Sequence, residues 1–240
     1  EYNAFSVSAD YESTSIDTNP FILDPRIARF LIIEGSTYNV IRLGAAFSYD
    51  TRNSTIFPTR GTMQRLRVDG ATPGGDLKYW KVDYDSRLFV PLINNYVLLL
   101  KGRVGYGEAY GDTFELPFFE NFYAGGPRTV RGFEENSLGP EDRYGRALGG
   151  DTMVVGNAEV IIPVPFLEQF KSVRLTGFFD AGNVFASNEE FEFSKLRTAA
   201  GFSGVWLSPF GLLSVSIAQP FNDKAGDDVQ KFQFTFGTSF

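Results

Sequence analysis

Hydrophobic and polar residues alternate along most of this chain with a period of two. Within Lys78–Pro91, one parity reads Trp80, Val82, Tyr84, Leu88 and Val90, and the other reads Lys81, Asp83, Asp85 and Arg87. In an extended strand these sets stand on opposite faces, one apolar and one charged. The split recurs at Asn95–Gly107, where Leu98, Leu100, Val104 and Tyr106 oppose Lys101, Arg103 and Gly105. It recurs again at Gly211–Pro220, where Leu213, Val215 and Ile217 oppose Ser214, Ser216 and Ala218. The pattern predicts ten strands: Asn3–Tyr11, Tyr38–Tyr49, Thr62–Ala71, Lys78–Pro91, Asn95–Gly107, Met153–Pro163, Val173–Val184, Leu196–Leu207, Gly211–Pro220 and Lys231–Phe240.

Each predicted strand is about as long as a tilted membrane-spanning strand. The connections differ in length. Asn94-Asn95, Pro165–Lys171 and Ser208–Gly211 are short, whereas Glu12–Thr37 and Glu108–Thr152 are long. Outer-membrane barrels have this asymmetry, with short periplasmic turns and long external loops. One helix is expected in the first long loop: Asp24 caps it, Pro25 suits its first position, Arg26–Glu34 forms its body and Gly35 stops it. It is expected as a loop ornament, not a membrane element. A soluble sandwich or a lipocalin-like barrel would show the same alternation. Two features favour a membrane barrel: the strands exceed the usual globular length, and Tyr11, Tyr49, Trp80, Tyr106 and Trp206 lie near strand ends on the apolar parity, as interfacial girdles do.

Composition narrows the function classes. The 240 residues include 25 Phe and 25 Gly, with aromatic residues at 16%. No run approaches the roughly 18–20 apolar residues of a membrane helix. With no cysteine there is no disulfide framework and no thiol chemistry, and with no histidine the commonest general base and metal ligand is missing. No enzyme activity, metal or cofactor is therefore expected. A net charge of −7 argues against a nucleic-acid partner. The chain opens mid-pattern at Glu1-Tyr2-Asn3 without a secretory signal, as a mature fragment would.

Two segments go beyond a generic barrel. In the last strand Phe232, Phe234 and Phe236 share a parity with the terminal Phe240, which looks like the C-terminal signal of outer-membrane proteins. Gly237 interrupts it, and a strand glycine marks a bend or bulge. The Glu108–Thr152 connection is far longer than ordinary loops. Its stretch Leu116–Pro140 is too rich in Phe, Tyr and Gly for disorder. Such a loop must pack against something, and the barrel lumen is the available surface.

Within that loop, Glu120-Asn-Phe-Tyr-Ala-Gly-Gly126 and Val130-Arg131-Gly132-Phe133 resemble the sixth extracellular loop of the BamA family and its wider superfamily. Asn136-Ser-Leu-Gly-Pro140 extends the likeness toward the BamA family itself. Ile56-Phe-Pro-Thr-Arg-Gly61 in a periplasmic turn, Phe179-Asp-Ala-Gly-Asn-Val184 and Ser208-Pro-Phe-Gly211 add to it, so the likeness covers most of the chain in the family's order.

The resemblance implies an all-β transmembrane antiparallel barrel of sixteen strands. About ten would be present in residues 1–240, with the first strands and the periplasmic repeats outside them. It also implies an integral protein of the bacterial outer membrane that folds and inserts β-barrel proteins without nucleotide. Its partners would be outer-membrane lipids, unfolded outer-membrane protein clients and periplasmic accessory lipoproteins. The family's first and last strands meet at a weak seam, with Gly237 at a kink beside it. The arginine of the Val-Arg-Gly-Phe motif reaches into the lumen to acidic residues, which by position are Glu159 and Asp180.

The periodicity agrees with those partners. Glu159 shares the parity of Asn157 opposite Val160 and Ile162, and Asp180 that of Arg174 and Thr176 opposite Leu175 and Phe179. A guanidinium suits the role because its planar fork binds carboxylates and stays charged. Gly132 would let the loop turn tightly against the wall. Lys81, Asp83, Asp85 and Arg87 read as a solvated wall. An Asp/Glu pair also occurs in acid–base catalysis, but nothing else here resembles a hydrolase site. The alternatives are a two-partner secretion transporter or a TamA-like assembly factor of the same superfamily, or a passive porin. The number of periplasmic repeats upstream discriminates among them.

Overall fold

The computed structural model describes residues 2–18, 23–163, 172–187, 189 and 191–237. In chain order the strands are β1 (Tyr2–Ser15), β2 (Thr37–Asp50), β3 (Gly61–Ala71), β4 (Tyr79–Pro91), β5 (Val97–Ala109), β6 (Gly132–Phe133), β7 (Thr152–Ile162), β8 (Val173–Phe185), β9 (Arg197–Ser208), β10 (Gly211–Pro220), β11 (Val229–Gln230) and β12 (Phe232–Gly237). Ten of them form one antiparallel sheet in the order β1-β2-β3-β4-β5-β7-β8-β9-β10-β12, and β6 and β11 pair separately. Every long strand therefore neighbours the one before it in sequence, as in an up-and-down barrel wall.

The exposure of the two parities decides between a soluble and a membrane barrel. Leu100, Val104 and Tyr106 of β5 are exposed, while Gly105 and Gly107 on the other parity are buried. On β8, Leu175 and Phe179 are exposed, but Thr176, Phe178 and Asp180 are buried. A soluble barrel would seal its apolar parity inside. Here that parity faces outward, the arrangement for a lipid environment.

All ten expected strands are present, with ends shifted by a few residues. The start of β5 moves from the expected Asn95 to Val97 because Ile93–Asn95 forms a 3-10 turn, with Asn94 and Asn95 at φ of 53° and 63°. Asparagine tolerates that left-handed conformation better than most residues. The expected turn Pro165–Lys171 and the terminal Phe240 lie outside the described residues.

The helix α1 (Pro25–Glu34) forms as expected, with the Asp24 side chain accepting from the Arg26 backbone N–H at 2.8 Å and Gly35 closing it. It is more than an ornament. Phe30 is buried and meets Tyr38, Phe118 and Phe119 at ring-centroid distances of 6.1, 5.8 and 6.5 Å. With Val40, Ala71, Leu77, Tyr79 and Leu116 it forms a core that joins the first loop to the long one.

At the opposite end of the strands the turn after β2 reaches to β8. Arg174 donates through Nη1 to the Pro58 carbonyl at 2.9 Å and through Nη2 to the Phe57 carbonyl at 2.6 Å, with its guanidinium over the Phe57 ring. Both edges of the sheet are unpaired among the described residues: β1 pairs with β2 alone, and β12 with β10 alone.

Candidate functional site

The connection between β5 and β7 folds across the inner face of the sheet. It is an ordered structure in its own right. Phe122 bridges Gly150, and Ala124 bridges Leu138. Thr129 Oγ1 donates to the Gly125 carbonyl at 2.8 Å, and Gly126 N–H donates to the Val130 carbonyl at 3.1 Å. These bonds close a tight turn at 126–129, and Val130-Arg131-Gly132-Phe133 follows directly from it. Val130, Phe133 and Leu138 are fully buried, in one core with Met153 and Val155 of β7, Val184 of β8 and Ala199 of β9. Burying each such side chain contributes about 1.5–3 kcal/mol relative to exposure. Gly132 sits at φ 91°, and a Cβ there would lie 3.1 Å from Ala218 Cβ, so the backbone approaches the wall in a conformation that disfavours any side chain.

Arg131 is buried at the centre of this contact. Its Nε and Nη2 donate to Asp180 Oδ2 and Oδ1, each at 2.7 Å, and its backbone N–H donates to Oδ2 at 3.0 Å. Nη2 also donates to Glu159 Oε1 at 2.8 Å. The guanidinium carbon lies 3.4 Å from the centre of the Phe178 ring, which stacks against its flat face. Burial alone would lower the guanidinium pKa. The hydrogen bonds and charges of Asp180 and Glu159 outweigh it, and the net shift is upward. The structure thus brings Arg131 together with both acidic residues to which the sequence pointed. Lys101 Nζ lies 2.6 Å from the same Glu159 oxygen, so two cations share that carboxylate.

Two further anchors were not singled out from the sequence. Asn157 Nδ2 donates to Asp180 Oδ1 at 2.8 Å and to the Thr129 carbonyl at 2.6 Å, joining the carboxylate to the loop backbone. Glu120, at the beginning of the motif, ties the loop to the other side of the inner face. It accepts from Arg42 Nη2 at 2.5 Å, Tyr79 Oη at 2.9 Å and Lys81 Nζ at 3.1 Å. Lys81 is therefore no part of a merely solvated wall, as its strand pattern implied; it holds the loop, donating also to the Glu120 carbonyl at 2.5 Å. The loop thus spans the inner face between anchors of opposite sign. Beside it a charged cavity of about 550 Å³ remains, lined by residues such as Arg65, Asp83, Arg103 and Glu120.

Phe232, Phe234 and Phe236 of β12 all point outward and are 58–59% exposed. Gly237 ends the described strand opposite Leu212. Residues 1–240 match the model of the Omp85 superfamily domain.

The chain belongs to the Omp85 superfamily. It is similar to the outer membrane protein assembly factor BamA of Neisseria meningitidis, at 36% identity over 216 residues, 78% of this chain and 27% of that protein. It is similar to the sorting and assembly machinery component 50 homolog of Homo sapiens, at 32% identity over 165 residues, 66% of this chain and 35% of that protein. Its fold superposes on the crystal structure of BamA from Haemophilus ducreyi lacking POTRA domains 1–3, with a TM-score of 0.88 and 27% identity, over 99% of this chain and 51% of that one. The chain thus spans about half of that structure and about a quarter of the Neisseria protein. This Omp85 chain is an integral outer-membrane protein, its ten strands matching part of a BamA-type barrel wall with the apolar parity facing outward.

Proposed function

We propose that this chain is the loop-bearing part of an outer-membrane insertase, which folds and inserts β-barrel proteins into the bacterial outer membrane without nucleotide or catalysis. The remaining strands and the periplasmic repeats of the family barrel would come from sequence outside residues 1–240. The observation that carries the reading is the long loop of an Omp85-superfamily chain docked on the inner face through Arg131, Asp180 and Glu159. An unpaired edge offers N–H and C=O groups that template an incoming strand. In lipid such groups are costly to leave bare, so β12 takes a partner strand, either from the rest of the barrel or from a client.

In this reading Val130, Arg131, Gly132 and Phe133 are a latch, with Glu159 and Asp180 as its lumen partners. Phe232, Phe234, Phe236, Gly237 and Phe240 form one side of the seam. The loop is extracellular and folds into the lumen. Clients are unfolded outer-membrane proteins, and accessory lipoproteins meet the periplasmic portion. The test is reconstitution of the full-length protein in vesicles of outer-membrane lipid, with folding of an unfolded barrel client followed by its heat-modifiable gel mobility. Client folding should be faster than in empty vesicles. Equal rates, or export of a secreted partner through the pore instead, would overturn the reading in favour of a transporter.

A further inference from the structure

The last strand is tied to the loop as well as to its neighbouring strand. Gln233 stands between Phe232 and Phe234, but its side chain points to the inner face and is only 3% exposed. Its Nε2 donates to the Phe133 carbonyl at 2.6 Å, two residues beyond Arg131. Immediately upstream, β11 pairs with β6, placing Val229 opposite Phe133 and Gln230 opposite Gly132. Glu134 N–H then donates to the Asp228 carbonyl at 2.8 Å. This connection is itself pinned, because the Asp227 carboxylate accepts from Arg197 Nε at 2.6 Å and Nη2 at 3.0 Å.

We propose that Gln233 and the β6–β11 ladder form a mechanical link, which sets the position of the β12 edge according to whether the loop is seated through Arg131. The inference rests on the reading of β12 as the client-facing edge, and Gln233 is a positioning residue within it. Contacts from the inner face add to the ladder with β10 in setting where β12 lies. The Oε1 of Gln233 is buried without a partner among the described residues. A half-satisfied buried amide is a poor way to fill a strand position; its worth lies in the bond to the loop. Seating of Arg131 fixes Phe133, Phe133 fixes Gln233 and β11, and these fix β12.

Amide hydrogen exchange of the full-length protein in outer-membrane lipid vesicles tests the link. Arg131→Ala should raise exchange at residues 132–134 and at 229–236 together, by about tenfold. Gln233→Leu should raise exchange at 229–236 by a similar factor while the loop stays resistant to protease. The double variant should add little to Arg131→Ala alone. A loop that becomes protease-sensitive in Arg131→Ala while β12 keeps its original exchange would overturn the link. If Arg131→Ala does not fold, Gln233→Leu decides, and unchanged exchange in it would overturn the proposal. Client folding measured in the same vesicles separates the two readings: coupled exchange without client folding leaves the link standing and removes the insertase.

Discussion

Arg131 and Asp180 are joined by three hydrogen bonds, from the backbone N–H, Nε and Nη2 of the arginine, and the aspartate is completely buried. Asp180 has no surface exposed to water and Arg131 has little, so water is a poor replacement for either partner. A buried pair of this kind contributes little net stability over an apolar pair, yet removing one partner costs about 3–5 kcal/mol because the other is stranded. The pair therefore acts as a condition on the loop's position.

Reversing the charge tests that condition. Arg131→Glu places a carboxylate against Asp180 and Glu159, and the loop should become accessible to protease, with lower assembly activity in the full-length protein. Basic substitutions at Glu159 and Asp180 in the same molecule should restore part of the loss. The two acids are not equivalent. Asp180 accepts three hydrogen bonds from Arg131, whereas Glu159 accepts one and is shared with Lys101. Asp180→Asn should therefore loosen the loop more than Glu159→Gln, as read by the rate of loop cleavage. Equal rates for the two single variants would contradict the geometry.

Asn157 supplies a neutral test of the same contact. Its two hydrogen bonds run from one amide nitrogen to Asp180 and to Thr129. Asn157→Leu removes both donor bonds while keeping the branched shape of the side chain and should lower stability by about 1–3 kcal/mol. Asn157→Asp should cost more, because it also brings a second negative charge to Asp180. The measurement is the temperature at which the full-length barrel loses its folded gel mobility. Identical temperatures for the two variants would show that charge at this position is of no consequence.

At the other end of the loop, Glu120 faces Arg42, Tyr79 and Lys81. Glu120→Gln keeps an acceptor for Tyr79 but removes the charge that compensates two cations. The loop segment before Phe122 should then become accessible to protease, while the tip stays docked through Arg131. Cleavage mapped by mass spectrometry should fall at residues 110–120 in Glu120→Gln and near 126–137 in Arg131→Glu. A single common cleavage pattern would mean that the loop releases as one unit and that the two anchors are not independent.

The strands and the inward placement of Glu159 and Asp180 were legible in the sequence for the same reason, whereas their pairing with Arg131 was implied by the family resemblance. Period-two alternation both marks a strand and states which residues share a face, so Glu159 and Asp180 could be placed inward from Val160 and Phe179 alone. Glu120 and Gln233 were not legible in that way. Glu120 lies in irregular backbone, where no period says which way a side chain points. Gln233 sits in a well-marked strand, but an inward polar residue is the ordinary case there. Its bond to Phe133 depends on β6 and β11, two-residue ladders too short to leave a pattern. The same limit hid the packing of α1: its capping residues predicted the helix, while two of Phe30's aromatic partners, Phe118 and Phe119, come from a loop that begins beyond β5.

Arg174 provides a test at the turn end of the strands, away from the loop. It satisfies two successive carbonyls, Phe57 and Pro58, with two nitrogens of one guanidinium and covers the Phe57 ring with its flat face. Lysine keeps the charge but has no planar fork, so it cannot reproduce both bonds together with the stacking. Arg174→Lys should therefore behave almost as badly as Arg174→Met, with a cost of about 1–3 kcal/mol for each. In both variants the turn 51–60 should become sensitive to protease. The loop at 110–151 should keep its resistance, because its anchors share no residue with this clamp. Full protection of the turn in Arg174→Lys would show that charge alone holds it, and that the two-carbonyl geometry is incidental.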